Sequence, residues 1–231
     1  MDLKELDLVD PNFNWYYQHK AKYIYTKSKN YINQINNLID VGAGSGFFAK
    51  YFQERSPKIK AYCIDPFYSD DQLKEEGNLQ FLKQKPNVKA EALLFIDVLE
   101  HVEDDIKLIE DYKNNMDQET CLIISVPAFN FLWSGHDIFL EHYRRYTLKN
   151  LKKLLLKAGF EPVYGSYIFS TIFPLVYLKR KFTKNLNKSD MREFNRFVNW
   201  LFLNICKLEY FLPINKLFGT SVFVIARKKH V

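Results

Sequence analysis

The 231 residues predict an α/β fold built on a parallel, doubly wound sheet. Three observations carry that prediction. Short apolar runs alternate with helix-compatible stretches from residue 37 onward. The first run, Asn37 to Val41, passes directly into a glycine turn and then a helix-compatible segment, Phe47 to Gln53. Ala92 to Ile96 is continuously apolar and ends at Asp97, the pattern of a strand buried on both faces.

Residues 13–36 carry aromatic and aliphatic side chains spaced for one or two amphipathic helices. Asn37 to Val41 is the first strand. Lys60 to Ile64 is the second, stopped by Asp65 and Pro66, and Leu79 to Leu82 is a weaker third. Ala92 to Ile96 is the fourth, residues 103–114 are helical, and Thr120 to Pro127 is the fifth. Thr147 caps a helix with Leu148, Leu151, Leu154 and Leu155 on one face, and Gly159 stops it. Thr220 to Ala226 is the last strand. Between Gly165 and Phe218 lies a stretch that a minimal sheet does not need. Its apolar parts, Tyr167 to Leu178 and Phe197 to Phe211, flank the basic run Lys179 to Lys184, so it reads as a helical insertion. One domain, 1–231, thus divides into a helical lead-in (1–36), a core (37–165), the insertion (166–217) and a closing strand and tail (218–231).

Apolar residues at 47% and charged residues at 26% exclude a disordered chain. Three scattered cysteines form neither a disulfide framework nor a zinc site and suit a reducing compartment. The start has no signal-peptide pattern, and no apolar run is long enough to span a bilayer. The expected location is therefore cytoplasmic, with peripheral contact at the inner membrane face as the alternative. The net charge of +6 conceals a division. Residues 1–143 hold 15 Lys+Arg and 23 Asp+Glu, whereas residues 144–231 hold 18 and 4, a balance of −8 against +14. The basic part would attract an anionic partner or remain a solvated surface.

Gly42, Gly44 and Gly46 let the backbone turn tightly and approach a ligand, at a helix N-terminus whose free N–H groups favour polar or anionic groups. Asp65 ends the next strand, where a carboxylate can accept both hydroxyls of a ribose. The spacing Asp40-x-Gly42-x-Gly44-x-Gly46 departs from the dinucleotide fingerprint, whose third glycine falls one residue later. It resembles instead the first motif of class I S-adenosylmethionine-dependent methyltransferases. Asp97-Val98-Leu99-Glu100-His101-Val102 resembles the "LEHV" signature of the small-molecule group of that class. Trp15 to Lys22 is similar to the group's aromatic, basic lead-in helix. Trp133-Ser134-Gly135-His136-Asp137 and His142-Tyr143-Arg144-Arg145-Tyr146-Thr147 are similar to the segment after strand five in a bacterial and archaeal subgroup. The resemblance covers about 13–165 and returns at 218–228.

That resemblance implies a Rossmann-like seven-stranded sheet, antiparallel at one strand near the C-terminus, with helices on both faces. It implies that Gly42, Gly44 and Gly46 line the methionine and ribose of S-adenosylmethionine, which leaves as S-adenosylhomocysteine. Asp40 would meet the methionine amine, Asp65 the ribose, and Asp97 to Leu99 the transferring methyl. One departure stands out: the loop after strand three, Lys83 to Asn87, lacks the acidic residue that faces adenine, leaving Gln84 or backbone groups for that contact.

The cofactor carries the activated methyl, so the protein mainly aligns the acceptor. An oxygen acceptor also needs a base or a metal, and His101 and His136 are the catalytic candidates. Asp97, Glu100 and His101 also resemble the ligand set of some divalent-metal-dependent methyltransferases, with His136 or His142 completing it. Arg145, beside Arg144 and Tyr146, offers a donor fork for a phosphate or carboxylate. Trp133, His142, Arg145 and Tyr146 are the expected acceptor-binding residues. The acceptor is expected to be a small or lipid-linked molecule methylated at oxygen, with the insertion touching the membrane, closing as a lid, or simply packing on the sheet or against a second copy. RNA methylation and a non-catalytic binding module are the alternatives. Nucleic acid is not expected, since the Asn/Asp-Pro-Pro-aromatic signature of base-modifying enzymes is absent.

Overall fold

The computed structural model describes residues 8–32, 35–182, 189 and 191–229. The start of the lead-in, part of the basic run Lys179 to Lys184 and the last two tail residues lie outside the described residues. The elements, in chain order, begin with α1 (Trp15–Ser28), β1 (Asn37–Val41), α2 (Phe47–Arg55) and β2 (Lys60–Ile64). Then come β3 (Glu75–Glu76), β4 (Leu79–Leu82), β5 (Ala92–Ile96), α3 (Asp105–Asp111) and β6 (Cys121–Pro127). The rest is α4 (Gly135–Phe139), α5 (Leu148–Lys157), β7 (Phe160–Ile168), α6 (Phe173–Phe182), α7 (Arg196–Lys207) and β8 (Ser221–Lys228).

The strands form one sheet in the order β3-β4-β2-β1-β5-β6-β8-β7. Pairing is parallel from β4 to β6, and β8 inserts antiparallel between β6 and β7. This is the expected Rossmann-like arrangement with eight strands rather than seven. The extra one is β3, two exposed glutamates paired antiparallel to β4 at the sheet edge. At the opposite edge β7 continues to Ile168, so the sheet extends into the segment assigned to the insertion. Pro162 sits beside a register shift in β7, which an edge strand tolerates because its missing N–H is not needed by a second neighbour.

Alternation along each strand feeds two cores. Leu38, Ala61, Leu94, Ile123 and Phe223 face the aromatic side chains of α1 and α2. Ile39, Tyr62, Leu93, Ile124 and Val224 face the other layer, where α5 buries Leu151 and Leu155. Thr147 caps α5 through the Asn150 N–H at 3.1 Å, as its sequence requires.

The lead-in helix lies against the insertion. Trp15 stacks on Phe202 of α7 with ring centroids 4.9 Å apart. The Trp15 backbone N–H donates to the Asn199 side-chain oxygen at 3.0 Å. His19 and Glu209, both buried, meet at 2.6 Å. Together α1, α6 and α7 roof the carboxyl edge of the sheet, where a doubly wound fold places its ligand crevice. No helix of the described residues is long and apolar enough to cross a membrane.

Candidate active site

The glycine turn is shaped by close neighbours. Gly42 and Gly46 have φ of +63° and +70°, in the left-handed region. A Cβ on Gly42 would lie 2.7 Å from Val98, and one on Gly46 would lie 2.8 Å from the Phe81 ring. Only glycine satisfies both demands. Gly44, also at positive φ, donates its N–H to Asp65 at 3.1 Å, and its carbonyl accepts from the Tyr68 hydroxyl at 2.7 Å. Asp40 is buried beneath the turn and accepts from the Ala49 N–H in α2 at 3.2 Å. Burial, with the nearby Asp65 charge adding, pushes the Asp40 carboxyl up to about 7. The structure thus brings together Asp40, Gly42, Gly44, Gly46 and Asp65. A cavity of about 180 Å³ opens beside Gly44 and Gly46, with Tyr68, Gln72 and Phe81 among its walls. Gln84, the expected adenine partner, is not one of them.

A larger cavity of about 400 Å³ lies beneath the roof. Asp97, Glu100, His101, His136, His142 and Arg145 line it, together with apolar side chains of α1, α6 and α7. Asp97 stands at the end of β5 with φ +55°. Asp97 lines this cavity, and the next residue, Val98, abuts Gly42 of the glycine turn.

Lys20, fully buried on α1, reaches down to Asp97 and donates to both carboxylate oxygens at 2.6 and 2.5 Å. It also donates to the Tyr16 hydroxyl at 3.2 Å. Burial alone would favour the neutral amine, but the Asp97 charge and the Tyr16 contact prevail and raise its pKa. Lys20 had no place in the sequence reading. Its signal was a lysine in the buried register of α1, between Tyr16, Tyr17 and Ile24.

Glu100 is buried, and its Oε2 has no hydrogen-bond partner among the described residues. Burial, reinforced by Asp97, holds its carboxyl well above the usual range. The His101 and His142 rings are 4.6 Å apart, and His136 lies 6.3 Å from His142. Ligand atoms of Glu100, His101 and His142 fall within 4.8 Å of one another. Asp137 anchors this group by binding His142 Nδ1 at 3.0 Å, which leaves Nε2 as the ring's other nitrogen.

Arg145 also turns to Asp137, donating from Nε at 2.6 Å and Nη2 at 3.1 Å. Its third contact is the Ala128 carbonyl at 2.9 Å. The guanidinium expected to clamp a substrate anion thus clamps this chain's own carboxylate. Arg180 of α6 joins the network through Ser134 Oγ at 2.7 Å and Asp137 Oδ2 at 3.3 Å. Burial opposes charge on Asp137, yet the His142 hydrogen bond and the Arg145 charge prevail and hold its carboxyl well below the usual range.

The remaining expected residues sit elsewhere. Tyr146 is buried outside the cavity walls, donating to the Leu99 carbonyl and to Asp105 at 3.1 and 2.8 Å. Leu99 is itself buried, and its contribution is that carbonyl. Trp133 is part-exposed and also outside the walls.

A family of methyltransferase domains matches residues 16–164, more than half of the chain. No curated protein matches by sequence. Solved structures match in fold. The plantazolicin methyltransferase BpumL, in complex with a monoazolic desmethylPZN analog and SAH, is 13% identical with a TM-score of 0.59, over 94% of this chain and 85% of that one. The 1,6-didemethyltoxoflavin-N1-methyltransferase of Burkholderia thailandensis, with its substrate and S-adenosylhomocysteine bound, is 15% identical with a TM-score of 0.57, over 91% and 78%. A SAM-dependent methyltransferase from Archaeoglobus fulgidus is 18% identical with a TM-score of 0.54, over 90% and 94%. Glycine turn, crevice and family match agree: the chain belongs to the methyltransferase-domain family and is a class I S-adenosylmethionine-dependent methyltransferase.

Proposed function

We propose that this enzyme methylates an oxygen of a small-molecule or lipid-linked acceptor held in the 400 Å³ cavity. The observation that carries the reading is a cavity lined by three histidines and by Asp97, whose chain neighbour Val98 packs against Gly42 of the glycine turn. S-adenosylmethionine supplies a methyl group already activated on sulfur. Gly42, Gly44 and Gly46 offer the backbone to its methionine and ribose, Asp65 accepts from the ribose hydroxyls, and Asp40 faces the amine. Asp97 and the Leu99 backbone border the methyl. Apolar walls exclude water and hold the acceptor in line. His101 or His136 takes the proton of the acceptor hydroxyl, while Asp137 orients His142 beside them. Trp133 and Tyr146 support this loop rather than touch the acceptor. The solved structures that bind a plantazolicin analogue and 1,6-didemethyltoxoflavin are consistent with a small acceptor on this fold.

The test is methyl label from S-adenosylmethionine, followed into soluble, lipid, protein and nucleic-acid fractions of a lysate. Label should enter the soluble or lipid fraction and fall about 10²–10⁴-fold in His101→Ala or His136→Ala. Label in RNA, or equal label from the variants, rejects the reading.

Glu100 favours a second reading. Its orphan Oε2 beside two imidazoles makes a mixed oxygen and nitrogen donor set that fits a divalent cation such as Mn²⁺ or Zn²⁺. Glu100, His101 and His142 would hold the ion, which would supply Lewis acidity toward the acceptor oxygen. Activity lost to chelator and restored by metal would support it, and indifference to chelator would remove it.

A further inference from the structure

We propose that the roof over the cavity docks on an anionic lipid bilayer. The observation is apolar surface that the core does not use. On α7, Phe197, Trp200 and Leu201, with Leu208 in the turn just beyond its end, recur at helical spacing and are exposed, Phe197 by 68% and Trp200 by 60%. The other side of the same helix is also apolar: Phe202 and Ile205 pack on the core and Cys206 is buried. A helix apolar on both faces has a second face to cover. On α6, Leu175, Leu178 and Phe182 form a similar exposed stripe, with Phe182 78% exposed. Monomeric soluble proteins rarely leave so much contiguous apolar surface without a partner.

Charge selects the partner. Residues 166–217 contain nine Lys+Arg and three Asp+Glu. One of those acids, Glu209, is buried on His19. Lys181, Arg196 and Lys207 are exposed on the same helices as the stripes. Large apolar side chains interleaved with cations suit the interface of an anionic membrane. A second copy would bring the same positive charge against this one, and RNA would leave the apolar stripes uncovered. Leu175 belongs to the exposed stripe and also lines the cavity, so docking sets the cavity rim against the lipid. This deepens the lipid-linked reading of the acceptor, and it rests on that reading for its purpose, not for its surface.

The test is binding of the full chain, without acceptor, to phosphatidylcholine vesicles with and without phosphatidylglycerol. Co-sedimentation and a blue shift of tryptophan emission are expected with the anionic vesicles at low salt, weakened by high salt. The double variant Phe197→Ser, Trp200→Ser should lower the partition by about tenfold or more while its melting curve stays that of the wild type. Arg196→Glu with Lys207→Glu should weaken binding to anionic vesicles selectively. Absence of binding to anionic vesicles overturns the proposal, as does a dimer that the serine variants dissociate, or RNA binding in place of lipid binding. The vesicle assay and the methyl-label assay fail separately. Vesicle binding with label only among soluble metabolites keeps the docking surface and removes the lipid acceptor. Lipid label without vesicle binding does the reverse.

Discussion

The glycine turn, proposed to hold the cofactor, and the histidine-lined cavity, proposed to hold the acceptor, are built by opposite means. At the glycine turn the chain uses its own backbone. Three glycines turn it, and Asp40 and Asp65 accept from the N–H groups of Ala49, Gly44 and Phe67. Every one of these groups lies between residues 40 and 67. At the histidine cavity, side chains pair with side chains: Lys20 and Arg180 arrive from distant segments, His142 and Arg145 from the loop that follows Asp137. Lys20 crosses to Asp97, and Asp137 gathers His142, Arg145 and Arg180. The first construction rests on backbone geometry. The second holds charges in a dry interior, where each needs its partner.

Breaking the second construction should therefore cost most. Asp137→Ala leaves the Arg145 guanidinium, whose side chain is 4% exposed, without its carboxylate, and frees His142 from its orienting contact. Loss of one partner of a buried pair costs about 3–5 kcal/mol, a fall in Tm of at least ~6 °C for a domain of this size. Thermal melting checks this. A Tm within ~2 °C of wild type would mean that the network is looser than its geometry, since about 1 kcal/mol shifts Tm by only that much.

Lys20→Met comes next. Asp97 keeps some solvent access, with its side chain 24% exposed, so a smaller stability loss of about 1–3 kcal/mol is expected. Catalysis is affected as well. The uncompensated Asp97 lies between the glycine turn and the acceptor, beside the buried Glu100. A fall of roughly tenfold or more in kcat/KM is expected, corresponding to about 1.4 kcal/mol of lost transition-state stabilisation. Unchanged kinetics would reduce Lys20 to a fastener of α1.

The same contrast explains what could be read from the sequence. The strands from β1 to β6, except β3, announce themselves by apolar runs, and the glycine turn and Asp65 by spacing, because each is decided within a few residues. The pairing of β3 is invisible because Glu75 and Glu76 carry no apolar signal. β7 is obscured by Pro162 and Gly165, which an edge position accommodates. The histidines stand out by residue type, and the fold brings His101, His136 and His142 to one cavity. What no local pattern reveals is who partners whom. Arg145 looks like an anion clamp until the fold brings Asp137 onto it. Tyr146 looks like a substrate contact until its hydroxyl meets Leu99 and Asp105. Lys20 becomes a site residue only when α1 lies across β5.

The last expected effect sits at the glycine turn and is one of pH. Burial raises the Asp40 carboxyl from its usual 3.8 to about 7. In that window the native state keeps a proton that the unfolded chain has released, so stability falls as pH rises from about 4 to about 7 and is level above. Asp40→Asn retains an oxygen for the Ala49 N–H and removes the titration, so its Tm should decline less than that of wild type across this window. The contact proposed between Asp40 and the amine of S-adenosylmethionine adds a second signature. A nearby ammonium favours the carboxylate, so binding must release the proton that Asp40 holds. Wild-type cofactor affinity should therefore strengthen toward pH 7, and that of Asp40→Asn should lack this component. Parallel affinity profiles for the two, with the Tm difference intact, would leave Asp40 as a brace for α2 and pass the amine to backbone groups of the turn.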